Sequence, residues 1–311
     1  TYTMIAFLIG VSIYTLGTHP VDITAAIAGP KFTANSVLSA AGVGVFLYVG
    51  FEWVTPLAEE TTDYRLIGRG MLLAIGLLAV TYSLFTVTMY TGLTEEQLAG
   101  GTPIPHILFG KNLFGGPGVI IFMIMSVLAS VTSFNSGLLN TSRFAYAMGR
   151  DNVLPRIFTS LHPDHASPRV AILALALFAV AVSVVTFFTG LYLFIILMAA
   201  ALECFIYVVM ALCVIRLRRL QGERERSFKI PFGIVIPAFT ALVFTGLLLG
   251  IFADTSRDYA GNVLFENYWV AAVMGAFFLL TAAYALAVVP VLKKRAAERS
   301  GRRERRRPGK E

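Results

Sequence analysis

Charge is scarce in this chain. Asp, Glu, Lys and Arg make up 14% of its 311 residues, where a soluble domain carries about 25%. Cysteines number two, tryptophans two and histidines four. So few cysteines exclude a secreted disulfide scaffold. The scarce charges are also unevenly placed. Twenty-five uncharged residues separate Arg69 from Glu95, thirty-one Lys111 from Arg143, and thirty-three Arg169 from Glu203. Twenty-four separate Lys229 from Asp254, and twenty-six Glu266 from Lys293. A helix of about 20 residues crosses a bilayer, so every gap can hold one. With 57% apolar residues, the pattern excludes a soluble enzyme and a disordered chain. It also argues against a membrane β-barrel, whose strands alternate polar and apolar over about 10 residues.

What is present is an all-α integral membrane pattern. Eight apolar segments lie at about 3–17, 35–58, 70–92, 117–141, 168–189, 191–215, 232–253 and 267–292, the first of them short. They form a single transmembrane domain over 1–311, with 293–311 as a basic tail. The net charge of +7 belongs to that tail, which holds ten basic and three acidic residues. A run such as Arg302, Arg303, Arg305, Arg306 and Arg307 beside a span reads as a topology anchor facing anionic lipid. No aromatic or glycine-rich module accompanies it, so it is not read as a nucleic-acid arm. The connections alternate in basic content, 22 Lys and Arg on one side against 3 on the other. The positive-inside rule then places the C-terminus in the cytoplasm. Thr1 opens inside an apolar run without a basic flank, which is not a signal peptide. Cys204 and Cys213 share one predicted helix. Nine residues place them on opposite faces about 13 Å apart along its axis, so they cannot bridge.

The second segment carries the strongest chemical signal. It holds Gly42, Gly44, Gly50 and Pro56, together with Glu52 at membrane depth. Glycine and proline weaken a helix, and freed backbone groups are tolerated there only where protein or a watery cavity satisfies them. Transporters present such broken helices to substrate or ion. The bland alternative is a kinked packing helix with glycines at close crossings. Glu52 favours function, because a charge in the bilayer interior is costly. Glu203, near the middle of the sixth segment, is either a neutral core side chain or a proton carrier, since burial favours the neutral carboxyl. On the fourth segment, Ser126, Ser130, Thr132, Ser133, Asn135, Ser136 and Asn140 are expected to hydrogen-bond mostly between helices. Ser133 and Ser136, at i and i+3, can face a ligand together. His19, His106, His162 and His165 fall in expected loops, and no metal site is assigned. Gly246-x-x-x-Gly250 reads as helix packing. No phosphate loop, nucleophile elbow or paired-carboxylate constellation is present, so no catalytic residue and no cofactor are assigned.

Residues 46–60, Phe-Leu-Tyr-Val-Gly-Phe-Glu-Trp-Val-Thr-Pro-Leu-Ala-Glu-Glu, resemble the broken sixth helix of the amino acid–polyamine–organocation transporters. Ser142 to Pro155 resembles the segment after that superfamily's eighth helix. Ser167-Pro-Arg-Val-Ala-Ile172 is similar to the start of its ninth helix. Arg226-Ser-Phe-Lys-Ile-Pro-Phe-Gly-Ile-Val-Ile-Pro237 is similar to its signature before the eleventh. Four motifs in order cover essentially the whole chain. Three departures stand out: Ser227 replaces the usual proline, Asn152 replaces the usual glycine, and 61–70 lacks the usual prolines.

The resemblance implies the C-terminal part of a twelve-helix bundle built from five-plus-five inverted repeats. The eight spans would be helices five to twelve, and four further spans, roughly 130–190 residues, are expected ahead of them. It implies a permease that carries an amino acid or related amine across the cell membrane by alternating access. Substrate contacts are expected from Phe46, Tyr48, Val49, Gly50, Phe51 and Ser133. Glu52 and Glu203 are the coupling candidates, with a proton favoured over sodium as coupling ion. Rival readings are an amino-acid sensor that binds without transporting, a half-transporter without activity, an integral-membrane enzyme and a channel. Substrate identity and oligomeric state stay open.

Overall fold

A computed structural model describes residues 2–18, 34–61, 65–94, 97, 104–221, 231–257 and 263–305. Apart from turns, loops and one small hairpin, the described chain is helical. The helices are α1 (Tyr2–Thr18), α2 (Ala34–Val45), α3 (Arg65–Gly92), α4 (Pro105–Arg150, two helical pieces joined at a kink where Gly115 takes φ 64° and ψ −141°), α5 (Arg169–Thr189), α6 (Tyr192–Leu220) and α7 (Val235–Ala253). Strands β1 (Thr255–Arg257) and β2 (Val263–Glu266) follow, and α8 (Tyr268–Arg305) ends the series. Among the described residues, seven stretches are long and apolar enough to cross a membrane, and α1 is a shorter apolar helix. Their surfaces are apolar on the outside as well: Leu73 is 76% exposed, Phe187 83% and Leu286 81%. Such a surface needs lipid or further protein against it. The chain is a multi-pass membrane protein.

It forms two compact units. The first comprises Thr1–Glu52, Thr61–Phe134 and Ile196–Val270. Its best-buried core is a phenylalanine cluster. Phe109 and Phe122 stand edge to face at 6.0 Å, and Phe85 meets them at 5.8 and 6.4 Å. Val11 and Leu93 close the cluster. The tightest helix crossing in this unit joins α2 to α7. A Cβ on Gly42 would come within 2.6 Å of Ile251, and one on Gly250 within 2.6 Å of the Leu38 Cβ. Of the Gly246/Gly250 pair, Gly250 alone is at the crossing; nothing lies within 4 Å of a Cβ at Gly246.

The stretch after α7, expected as a plain loop, is an antiparallel hairpin with a bulge between Ser256 and Arg257. Buried Asn267 ties it down. Its Oδ1 accepts from Ser256 at 2.6 Å, and its Nδ2 donates to the Ile251 carbonyl at 3.0 Å.

The second unit comprises Trp53–Glu60, Asn135–Ile195 and Ala271–Glu311. Here α4 ends in a tight turn whose backbone requires φ +56° at Asn152. Asparagine tolerates that left-handed conformation better than other non-glycine residues. The turn is held by Val153 N–H donating to the Met148 carbonyl at 2.8 Å, and by Tyr284 O–H donating to the Val153 carbonyl at 2.8 Å.

Two further expectations change. His106 is on α4 rather than in a loop, and its Nε2 is 2.8 Å from the Ser126 hydroxyl. The hydroxyls of Ser130 and Thr132, and the amide of Asn140, bond back to carbonyls of their own helix rather than across to another, whereas the Ser126 hydroxyl bonds to the Phe122 carbonyl and also meets His106 across the kink at Gly115. A Ser or Thr side chain in a helix reaches the carbonyl four residues back without any partner helix. His19, the motif over 226–230, Arg306 and Arg307 lie outside the described residues.

Candidate functional site

The second apolar segment is broken where its sequence is weakest. Helix α2 ends at Val45 and tightens into a 3-10 turn over Phe46–Tyr48. Val49 then extends, at φ −57° and ψ 131°. Gly50 turns left-handed, at φ 117° and ψ −17°, and a second 3-10 stretch runs over Phe51–Glu60 with Pro56 inside it. A side chain at Gly50 would be strained at that φ, so glycine is what permits the chain to reverse there. Pro56 has no N–H to restore an α-helical ladder beyond the break.

Glu52 closes on the break itself. The Gly50 N–H donates to both of its carboxylate oxygens, at 3.1 and 3.0 Å. A carboxyl acceptor two residues on thus holds the donor that the interrupted helix leaves over. Glu203, on α6, lies within electrostatic reach of Glu52. Tyr207, one turn further along α6, has a buried hydroxyl that interacts with Glu203. Two half-buried acids and a tyrosine hydroxyl therefore gather beside the left-handed glycine.

The break is flanked by two cavities within the first unit. One, of about 470 Å³, lies against Val45, Tyr48 and Phe51 and is walled by α3, α6 and α7. The other, of about 460 Å³, lies against Gly44, Leu47 and Tyr48 and is walled by Tyr82, Thr86 and neighbours on α3. Tyr48 lines both, and its ring stands edge-on to Tyr82 at 5.8 Å. Phe51 stacks on Tyr207 at 6.4 Å, and Tyr207 meets Phe244 at 4.9 Å.

Of the residues singled out in the sequence, Tyr48, Val49, Gly50, Phe51 and Glu52 make up one continuous strip, with Glu203 beside it. Phe46 begins the 3-10 turn and is exposed, outside the lining of either cavity. Ser133 is exposed on α4 and lines neither. Tyr207, Tyr82, Thr240 and Phe244 were not foreseen. The spacing Glu203-x-x-x-Tyr207, which puts an acid and a phenol on one helix face, is the signal that points to the first of them. Among the described residues no cluster of His, Cys, Asp or Glu could hold a metal.

The amino acid permease family matches residues 1–279, and the chain belongs to that family. Among its relatives is the branched-chain amino acid permease BcaP of Bacillus subtilis, 27% identical over 70% of this chain and 46% of the relative. The methylthioribose transporter of the same organism is 24% identical over 68% of this chain and 44% of its own length. The vacuolar cationic amino acid transporter 4 of Arabidopsis thaliana is 28% identical over 49% of this chain and 25% of its own. The chain thus spans less than half the length of these curated relatives. No solved structure matches it.

Proposed function

We propose that this chain is part of a secondary transporter that carries an amino acid or related amine across the cell membrane by alternating access. The observation that carries the reading is the break at Val49–Gly50, inside an apolar helix and latched by an intramembrane glutamate. Irregular backbone at membrane depth is retained where it lines a cavity, and here cavities flank it on two sides. An ammonium would be held by backbone carbonyls and ring faces of the strip Tyr48 to Phe51, and Phe46 would close over it. Ser133 on α4 would add a further contact. Glu52 and Glu203 supply the coupling group, with a proton favoured over sodium.

The relatives named above are called permeases or transporters, which supports transport rather than catalysis. Their named substrates differ, so none is transferred as it stands. The basic tail favours a cytoplasmic C-terminus held against anionic lipid. The test is uptake of labelled amino acids and amines into proteoliposomes holding the full-length protein. Saturable accumulation that collapses with the proton gradient supports the reading. A sensor would bind saturably without flux.

A further inference from the structure

A smaller cavity lies in the second unit, where α8 leaves its apolar stretch. It holds about 130 Å³ between the turn after α4 and α8, with Asn152, Leu154, Arg156, Leu292 and Arg295 on its walls. Both walls belong to one compact unit. The Tyr284 hydroxyl ties them together by donating to the Val153 carbonyl at 2.8 Å. Tyr284, Val288, Val291 and Arg295 follow at spacings of four, three and four, so they share one face of α8.

The arginines are presented to this space in different ways. Asn152, at φ +56°, turns its Oδ1 to accept from the Arg156 Nε at 3.3 Å. That bond aims the guanidinium and leaves its two terminal nitrogens unspent. Arg295 makes no side-chain hydrogen bond or ion pair among the described residues. The acids beside them in sequence are Asp151, which pairs with Arg150 at 3.9 Å, and Glu298, one turn beyond Arg295; neither lines the cavity. Like charges repel, so two arginines on one small space are complementary to an anion.

The size and the surroundings say which kind. Sites that enclose a whole small molecule hold roughly 300–1,000 Å³, so this one takes a single charged group whose remainder lies outside. Outside is an apolar surface: Val288 and Val291 are 38% and 47% exposed on the same face of α8. Lys293, Lys294 and Arg295 follow directly on Leu292, which sets the cavity at the boundary between apolar layer and water. Phosphate is the anion that guanidinium forks fit best, and basic pockets beside spans hold acidic head groups.

We propose that this cavity binds the phosphate of an anionic glycerophospholipid, whose acyl chains run along Leu292, Val291 and Val288. A zwitterionic lipid brings the same phosphate with an ammonium, which Arg156 and Arg295 repel. The site is local, unlike the diffuse attraction of the basic tail, and it stands whatever the chain transports.

The experiment follows thermal unfolding of the purified full-length protein in neutral detergent. The titrants are dihexanoyl phosphatidylglycerol, dihexanoyl phosphatidylcholine and inorganic phosphate. A ligand of the folded state raises the midpoint. Phosphatidylglycerol should do so saturably, and the other two far more weakly. Arg295→Gln breaks no side-chain contact among the described residues, so the unliganded midpoint should hold. It should weaken the phosphatidylglycerol response about tenfold, the scale of one hydrogen bond to a charged group. Adding Arg156→Gln should weaken it further. Arg302→Gln with Arg303→Gln removes the same charge from the tail and should leave the response unaltered. The proposal is overturned if phosphatidylglycerol leaves wild type unmoved, if phosphatidylcholine acts equally, or if the cavity pair responds as wild type. It is also overturned if the tail pair weakens the response as much as the cavity pair. Inorganic phosphate acting as strongly as the lipid would overturn it too, by making the ligand a free anion.

Discussion

Replacing Glu52 separates holding the break from moving a proton. Its two oxygens accept from the Gly50 N–H at 3.1 and 3.0 Å. A hydrogen bond to a charged group contributes about 1.5–3 kcal/mol, and one between neutral groups about 0.5–1.5 kcal/mol. Glu52→Gln keeps one carbonyl oxygen in place, so it should weaken the broken conformation by about 1 kcal/mol. Glu52→Ala removes both acceptors and leaves the Gly50 N–H unpartnered in a half-buried site, at a cost of about 1–3 kcal/mol. Thermal unfolding in detergent should therefore rank wild type above Gln and Gln above Ala. Uptake by Glu52→Gln should stay within about tenfold of wild type if the latch alone is weakened, since 1.4 kcal/mol is one decade. Its dependence on external pH should flatten, because the amide cannot carry the proton. Glu52→Ala with wild-type midpoint, rate and pH profile would refute both roles together.

Other expectations follow from particular contacts. Gly250→Ala sets a methyl against the Leu38 Cβ and backbone and should destabilise by about 1–3 kcal/mol. Gly42→Ala meets the buried Ile251 side chain and the Leu247 carbonyl and should destabilise on the same scale; a wild-type midpoint for either variant would contradict the crossing. Asn152→Val should lose about 1–2 kcal/mol at its positive φ, while Asn152→Gly should be tolerated, as read by chemical unfolding of the purified protein. Tyr284→Phe removes the donor to the Val153 carbonyl and should cost about 0.5–1.5 kcal/mol in the same assay. Phe46→Ala should raise the apparent KM for uptake with surface expression retained, and an unchanged KM would remove Phe46 from the site.

Much of this architecture is legible from charge spacing. Long uncharged gaps leave a chain few options besides spanning helices, and Gly50, Glu52 and Pro56 mark the break because each opposes a continuous helix in its own way. The site's other half is hidden for a physical reason. Which face of α6 meets the break depends on how the helices rotate against each other, so Tyr207 and Phe244 look like ordinary span residues until Phe51 is seen beside Tyr207. The same holds for glycines: Gly246 and Gly250 read alike, yet Gly250 alone has a helix against it. Serines and threonines misled in the opposite direction, since each can bond within its own helix. The hairpin after α7 escaped because strands of three and four residues are too short to show alternation.

The central claim is that the latched break at Gly50 belongs to a carrier. Counterflow in proteoliposomes tests it most directly: vesicles holding the full-length protein are loaded with unlabelled amino acid or amine, then given labelled compound outside. The account predicts a transient, saturable overshoot of label that is lost in Glu52→Ala. Saturable binding with no overshoot for any amino acid or amine tried would contradict it.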